Sequence, residues 1–212
     1  MSGHMSDKVS AHKAHQCGIT LLATLLILLV VLMLGTAAAQ IAVQGEKSSR
    51  NDRDHKIAFQ AAEAALLDAE MDIEHSPDED RSRSALFSSI SAIGFPAAAG
   101  SACGSGEQNT YLGLCPHSEA GAQPIWQVVN FMDDAAITTS SVPYGRFTGQ
   151  SFYIANGSLP VKLPRYIVEL MLYKMPATGA DERTYFYRIT AVGFGARETT
   201  QVALQTVYRK TH

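Results

Sequence analysis

The chain has 212 residues, 46% hydrophobic and 17% charged, with a net charge of -3, which suits one modest globular domain and one membrane anchor. No basic stripe is present and the balance is slightly acidic, so the electrostatic footprint of a nucleic-acid binder is excluded. A P-loop, a dinucleotide fingerprint, an HExxH pair and a nucleophile elbow are all missing, which removes the common enzyme classes read from motifs.

Residues 1–18 are polar, with Lys8, Lys13, His4, His12 and His15. His12 and His15 could share one helix face as two metal ligands, but no third ligand is near and no metal site is assigned. From Ile19 to Val43 the chain carries no charge and is long enough to cross a bilayer core of about 30 Å as one helix. A cleavable secretory signal has an apolar core of only about 7–15 residues followed by small residues; here Ala37, Ala38 and Ala39 lie far downstream. Lys47, Arg50, Arg53 and Lys56 follow the span and outnumber the lysines before it, so counting basic residues alone opposes an inside amino terminus.

The junction decides the orientation instead. Cys17-Gly18 runs directly into Ile19-Thr20-Leu21-Leu22, which resembles a type IV prepilin cleavage site. The resemblance implies a membrane prepilin peptidase that cuts after Gly18 on the cytoplasmic side and methylates the new amino terminus at Ile19. Major pilins carry a glutamate at the fifth position after the cut, where it neutralises a neighbour's amino terminus; here the position is Ala23. An uncompensated ammonium in lipid costs several kcal/mol, so a subunit without the carboxylate is expected first in the fibre, at the tip. The competing explanation is a simple tolerance of alanine in lipid.

Past Val43 the helix is expected to continue. Asn51 to Glu74 contains neither proline nor glycine and carries a stripe at Phe59, Ala62, Leu66, Ala69 and Ile73, the spacing of an amphipathic helix. Lys56, Glu63 and Glu70 fall opposite, Gly35 and Gly45 are weak points, and Pro77 ends the element. The acidic run from Glu70 to Asp80 reads as a solvated face or a weak calcium site rather than an acid/base pair. Arg53 to Leu66, RDHKIAFQAAEAAL, closely resembles the spine of the PilX family of minor pilins. Ala58, Ala61, Ala62 and Ala65 are read as a line of close approach, and Phe59 and Leu66 as core.

Between Asp78 and Gln150 the chain is rich in Ser, Gly and Ala. Ser84 to Ile93 is expected as a short helix closed by Gly94 and Pro96. Removing the leader takes Cys17 and leaves Cys103 and Cys115, a disulfide if the domain is exported and a free thiol pair otherwise. Trp126, with Ile125, Val128 and Val129, is a core anchor or a partner contact. Asn156-Gly157-Ser158 reads as a hairpin turn in preference to a glycosylation acceptor.

The distal third alternates. Tyr166, Val168, Leu170 and Leu172, then Tyr185, Tyr187, Ile189 and Ala191, then Val202, Leu204, Thr206 and Tyr208 make three strands in sequence order, joined by short glycine-bearing connections at 176–182 and 193–198. The segment Tyr187 to Gly193 and the strand from Val202 to Thr206 again resemble the PilX family, which implies an added strand from the middle; Phe152 to Ala155 is nominated.

The expected fold is therefore α+β and type IV pilin-like: a long amino-terminal helix, half membrane and half amphipathic, packed on a C-terminal antiparallel β-sheet. Its parts are a leader over 1–18, the apolar half of the spine over 19–45, the amphipathic half over 46–76, an irregular region over 77–150 and the sheet over 151–212. The resemblance implies a minor pilin stored in the inner membrane with a periplasmic domain. It would join other minor pilins, the major pilin and a large tip adhesin to prime a pilus, with no cofactor. Three rivals use the same residues: a type II secretion pseudopilin, an uncleaved single-pass protein with an interaction domain, and a tethered hydrolase built around His117.

Overall fold

The computed structural model describes residues 19–96, 102–117, 121–155, 157–174 and 183–210. Cys17 and Gly18 lie outside that set, with the rest of the leader, and so do Asn156 and the connection over 175–182. The chain divides into two compact units, Met1–Arg50 and Asn51–His212, and one helix, α1 (Ile19–Glu74), contributes to both.

In the first unit every described residue is exposed, and the helix there is long and apolar enough to cross a membrane. The hydroxyls of Thr24 and Thr36 donate to the carbonyls of Leu21 and Met33 at 2.9 Å. Two polar groups are thereby satisfied within the helix, as a hydrocarbon surrounding requires.

In the second unit α1 is the floor of a sheet. Its buried residues are Asp54, Ala58, Ala61, Ala62, Ala65, Asp68, Ala69, Asp72 and Ile73, a face of alternating four- and three-residue steps. This face is turned relative to the expected stripe. Ala62, Ala69 and Ile73 are buried, Leu66 is half-buried, and Phe59 stands 39% exposed. The reason is distance: a Cβ on Gly193 would lie 2.1 Å from the Ala58 carbonyl oxygen and 2.3 Å from the Ala62 nitrogen. Only alanines fit under so close a strand, and the larger side chains are displaced to the flank.

The sheet has the order β1-β3-β4-β5, with β2 also on β3. β1 is Leu114–Cys115, β2 Val142–Pro143, β3 Arg165–Lys174, β4 Arg183–Phe194 and β5 Gln201–Tyr208. The three long strands are consecutive antiparallel neighbours, as their short connections require. Register places Tyr166 opposite Ala191 and Ala191 opposite Leu204, and likewise Val168, Ile189 and Thr206 in one row. The three alternating sets thus share the face turned to α1. β1, however, runs parallel to β3, so the sheet is mixed rather than wholly antiparallel. The added strands are β1 and β2, and Phe152–Ala155 forms none. Gly113, at φ +71°, turns the chain onto the β3 edge, where its carbonyl accepts from Val168 N at 2.8 Å.

Among the described residues three apolar clusters result, two of them large. Between α1 and the sheet lie Ala65, Ala69, Ile73, Leu114, Tyr166, Val168, Tyr187 and Ile189, joined by Phe87 and Phe95; both rings sit edge-on or stacked on Tyr187 at 5.3 and 5.7 Å. On the opposite face Ile167, Val192 and Phe194 pack with Phe131, Cys103 and Cys115. Those cysteines form a disulfide. Trp126 and Val129 join this second core half-buried, whereas Val128 is exposed. The helix expected over Ser84–Ile93 shrinks to one 3-10 turn, Ser84–Leu86. Side chains take over its polar groups: the Ser84 hydroxyl donates to the Asp72 carbonyl, and Ser88 N donates to the Tyr187 hydroxyl.

Candidate assembly surfaces

The first surface to consider is the start of α1. The described part of α1 starts at Ile19, its first turn holds no acidic side chain, and Ala23 is exposed. Gly18 lies outside the described residues. Glu46 is the first acidic residue after the junction, so nothing between Ile19 and Gln44 can neutralise an ammonium within that stretch.

Three carboxylates on the buried face of α1 hold the domain to it. Asp54 accepts from Ala196 N, from Arg197 Nε at 3.0 Å and from the Thr200 hydroxyl, which clamps the β4–β5 turn. Burial there pushes the carboxyl up, but the hydrogen bonds from Thr200, Arg197 and Ala196 outweigh it and hold Asp54 below its usual range. Asp68 accepts from Gly145 N at 2.8 Å and from the Thr148 hydroxyl, fixing the turn after β2. Burial dominates at this site and raises its carboxyl to about 6. Asp72 receives Arg83 Nε and Nη2 and the Tyr166 hydroxyl at 2.8 Å. Arg83 in turn donates to the carbonyls of Thr110 and Leu112, so the buried pair has the additional hydrogen bonds that a desolvated ion pair needs. Reading the apolar stripe alone misses Asp54 and Asp68. Their signal is positional, because both fall on the alanine line, on the same helical face as Ala58, Ala61 and Ala65.

Two of the recesses formed by described residues lie on the second unit. One, of about 330 Å³, lies between Ile57, Gln60 and Ala61 of α1 and the loop carrying Phe152, Tyr153 and Leu159. The other, of about 380 Å³, is lined by Glu107, Asp134, Lys162, Arg165 and Glu198. There Asp134 bridges Lys162 Nζ at 2.5 Å and Arg165 Nη2 at 2.9 Å.

Comparison with known families now bears on both ends of the chain. The family described as type IV pilus assembly protein PilX, C-terminal, matches residues 97–210, and the PilX N-terminal family matches residues 18–67. The chain belongs to the PilX family of type IV pilus assembly proteins. Searches of curated proteins and of solved structures find no match. The two matches together cover the spine as far as residue 67, the middle region from residue 97 and the final strands, and leave 68–96 unmatched.

As a PilX-family member the chain belongs with pilus assembly components and not with a known enzyme family. His117, the catalytic group a tethered hydrolase would need, lies with Nδ1 3.5 Å from Glu169 Oε1. Glu169 is itself held by Arg188 through both carboxylate oxygens, an arrangement that fixes a carboxylate rather than activating a nucleophile. The acidic run divides: Asp72 is buried on Arg83, while Asp78 Oδ1 accepts from Asp80 N and Arg81 N at a turn. Among the described residues no group of three or more His, Cys, Asp or Glu is placed to hold a metal.

Proposed function

We propose that this chain is a minor pilin of the type IV pilus. Ile19 to Val43 holds it in the inner membrane with the second unit in the periplasm. The prepilin peptidase cleaves after Gly18 and methylates Ile19, and the mature subunit joins other minor pilins, the major pilin and a tip adhesin in the complex that primes the fibre. The observation that carries this reading is a coincidence of position in the sequence: the apolar run begins at Ile19, directly after Cys17-Gly18, and the PilX N-terminal match begins at Gly18. The Cys103–Cys115 bridge supports an oxidising compartment for the domain. Ala23 supports placement at the tip, since a subunit without that carboxylate offers no partner to the amino terminus of the subunit ahead.

The test is the intact mass and amino-terminal residue of the protein from cells with and without the prepilin peptidase. A chain starting at methylated Ile19 only when the peptidase is present is the expected result. A chain that keeps its leader in both strains removes the cleavage step and leaves a tethered interaction domain.

A further inference from the structure

The two edges of the sheet are finished differently. On the β3 side the edge is filled by the two-residue strands β1 and β2, and the adjoining loop is pinned by the Cys103–Cys115 bridge. On the other side β5 pairs with β4 alone among the described strands. Eight consecutive pairs run from Phe194–Gln201 to Tyr187–Tyr208 without a bulge, and the strand QVALQTVY has no charge and no proline. Exposed edges are ordinarily blunted by charge, proline, bulges or shortness, and β5 has none of these. Every second residue along its outer side leaves a backbone N–H and C=O without a strand partner.

The surroundings of this edge are those of a seat for one more strand. Ala58 and Ala62 of α1 pack on Val202 and Leu204 of β5. At 100° per residue, Leu66 and Phe59 come next around the helix beyond Ala62, followed by Glu70 and Glu63. Phe59 is 39% exposed and Leu66 half-buried, so an apolar shelf continues past the last strand. Glu63 is exposed and Glu70 half-buried at its rim. On the far face Ala203, Gln205 and Val207 are exposed, Val207 at 62%.

We propose that the β5 edge receives an extended segment of another exported protein as a further strand. Its inward residues are apolar, to cover Phe59 and Leu66, and it carries lysine or arginine against Glu63 and Glu70. Main-chain hydrogen bonds supply affinity in such augmentation, and alternate side chains supply choice of partner. A second copy of this chain does not fit. Two-fold pairing of β5 with β5 is antiparallel, which turns the two copies of Asn51–Glu74 end for end and puts their Asn51 residues at opposite ends of the pair, whereas both copies are anchored in one membrane through the chain that joins at Asn51. That last step rests on the minor-pilin reading; the unfinished edge does not.

The experiment places the photo-crosslinking residue benzoylphenylalanine at Ala203, Gln205 or Val207 of the full-length chain in piliated cells, with Ile137, 84% exposed elsewhere, as control. Adducts are mapped by mass spectrometry. The expected result is one partner protein, attached at residues two apart along its sequence as the probe moves two residues along β5, with a yield falling at least fivefold when Glu63→Lys and Glu70→Lys are combined. Attachment to a second copy, attachments scattered over the partner, a yield no higher than at Ile137, or a yield indifferent to the charge reversal each overturns the proposal. The same digest reads the amino terminus at Ile19, so a failure of the leader reading is seen separately from a failure at β5.

Discussion

Asp68 is fully buried and raised to about 6, so its ionised form opposes folding at neutral pH. The folded state holds its proton more tightly than the unfolded chain, whose aspartates titrate near 3.8. Stability from this residue is therefore fully present below pH 3.8 and is lost as pH rises through 6, a change on the order of 3 kcal/mol. Asp54 has the opposite sign: its lowered carboxyl stabilises above the unfolded value, and that contribution is lost as pH falls through the folded one. Asp68→Asn keeps an acceptor for Gly145 N and removes the ionisation. Thermal melts of this variant between pH 4 and 6 are expected to lose the downward slope with rising pH while keeping the acid limb below pH 4. An unchanged slope between pH 4 and 6 would mean that Asp68 stays ionised in the fold. These carboxylates were only partly legible in the sequence. Their positions on the alanine face could be counted, but the groups that meet them, Thr148, Arg83 and Thr200, lie far along the chain.

The contact between α1 and β4 is set by Gly193, whose missing side chain lets the strand approach the helix backbone itself. Overpacking a tight contact typically costs about 1–3 kcal/mol, and here the obstacles are the Ala58 carbonyl and the Ala62 amide rather than movable side chains. Gly193→Val is expected to lower the unfolding free energy by at least that much, seen as a lower urea midpoint at unchanged slope, without changing the disulfide in a free-thiol assay. A midpoint within error of the parent would show that helix and strand can separate freely. The alanine line was read from the sequence as a line of close approach, and that is what the structure contains. The register of Phe59 was not. A helical stripe says which residues lie together, and the rotation of that stripe depends on how near the sheet comes. The second core behind the sheet was equally hidden, because Phe131 and Trp126 sit in an irregular region whose partners, Ile167 and Phe194, belong to strands.

For the assembled subunit, the proposed minor-pilin role makes position in the fibre the property to test at Ala23. Glutamate at this site restores a carboxylate able to receive a neighbour's ammonium in a low-dielectric surrounding, where an unpaired charge costs several kcal/mol. Under the proposed tip placement, immunogold labelling of the parent protein is expected at the pilus ends, and cells carrying Ala23→Glu are expected to distribute the subunit along the shaft. Labelling confined to the ends in the variant would remove the missing carboxylate as the cause of tip placement.

Much of this protein was available before any coordinates. The apolar span from Ile19, the amphipathic continuation and three alternating strands are local patterns, and local patterns survive in a linear string because backbone periodicity imposes them. The pairing of Cys103 with Cys115 was limited by count once the leader is removed. What needed the tertiary structure was everything set by approach: which face of α1 is buried, the parallel strand at Leu114–Cys115, the clamps on Asp54, Asp68 and Asp72, and the unfinished edge at β5. Each arises where segments distant in sequence meet, and the physical quantities that decide them, close contact, desolvation and strand pairing, have no counterpart along the chain.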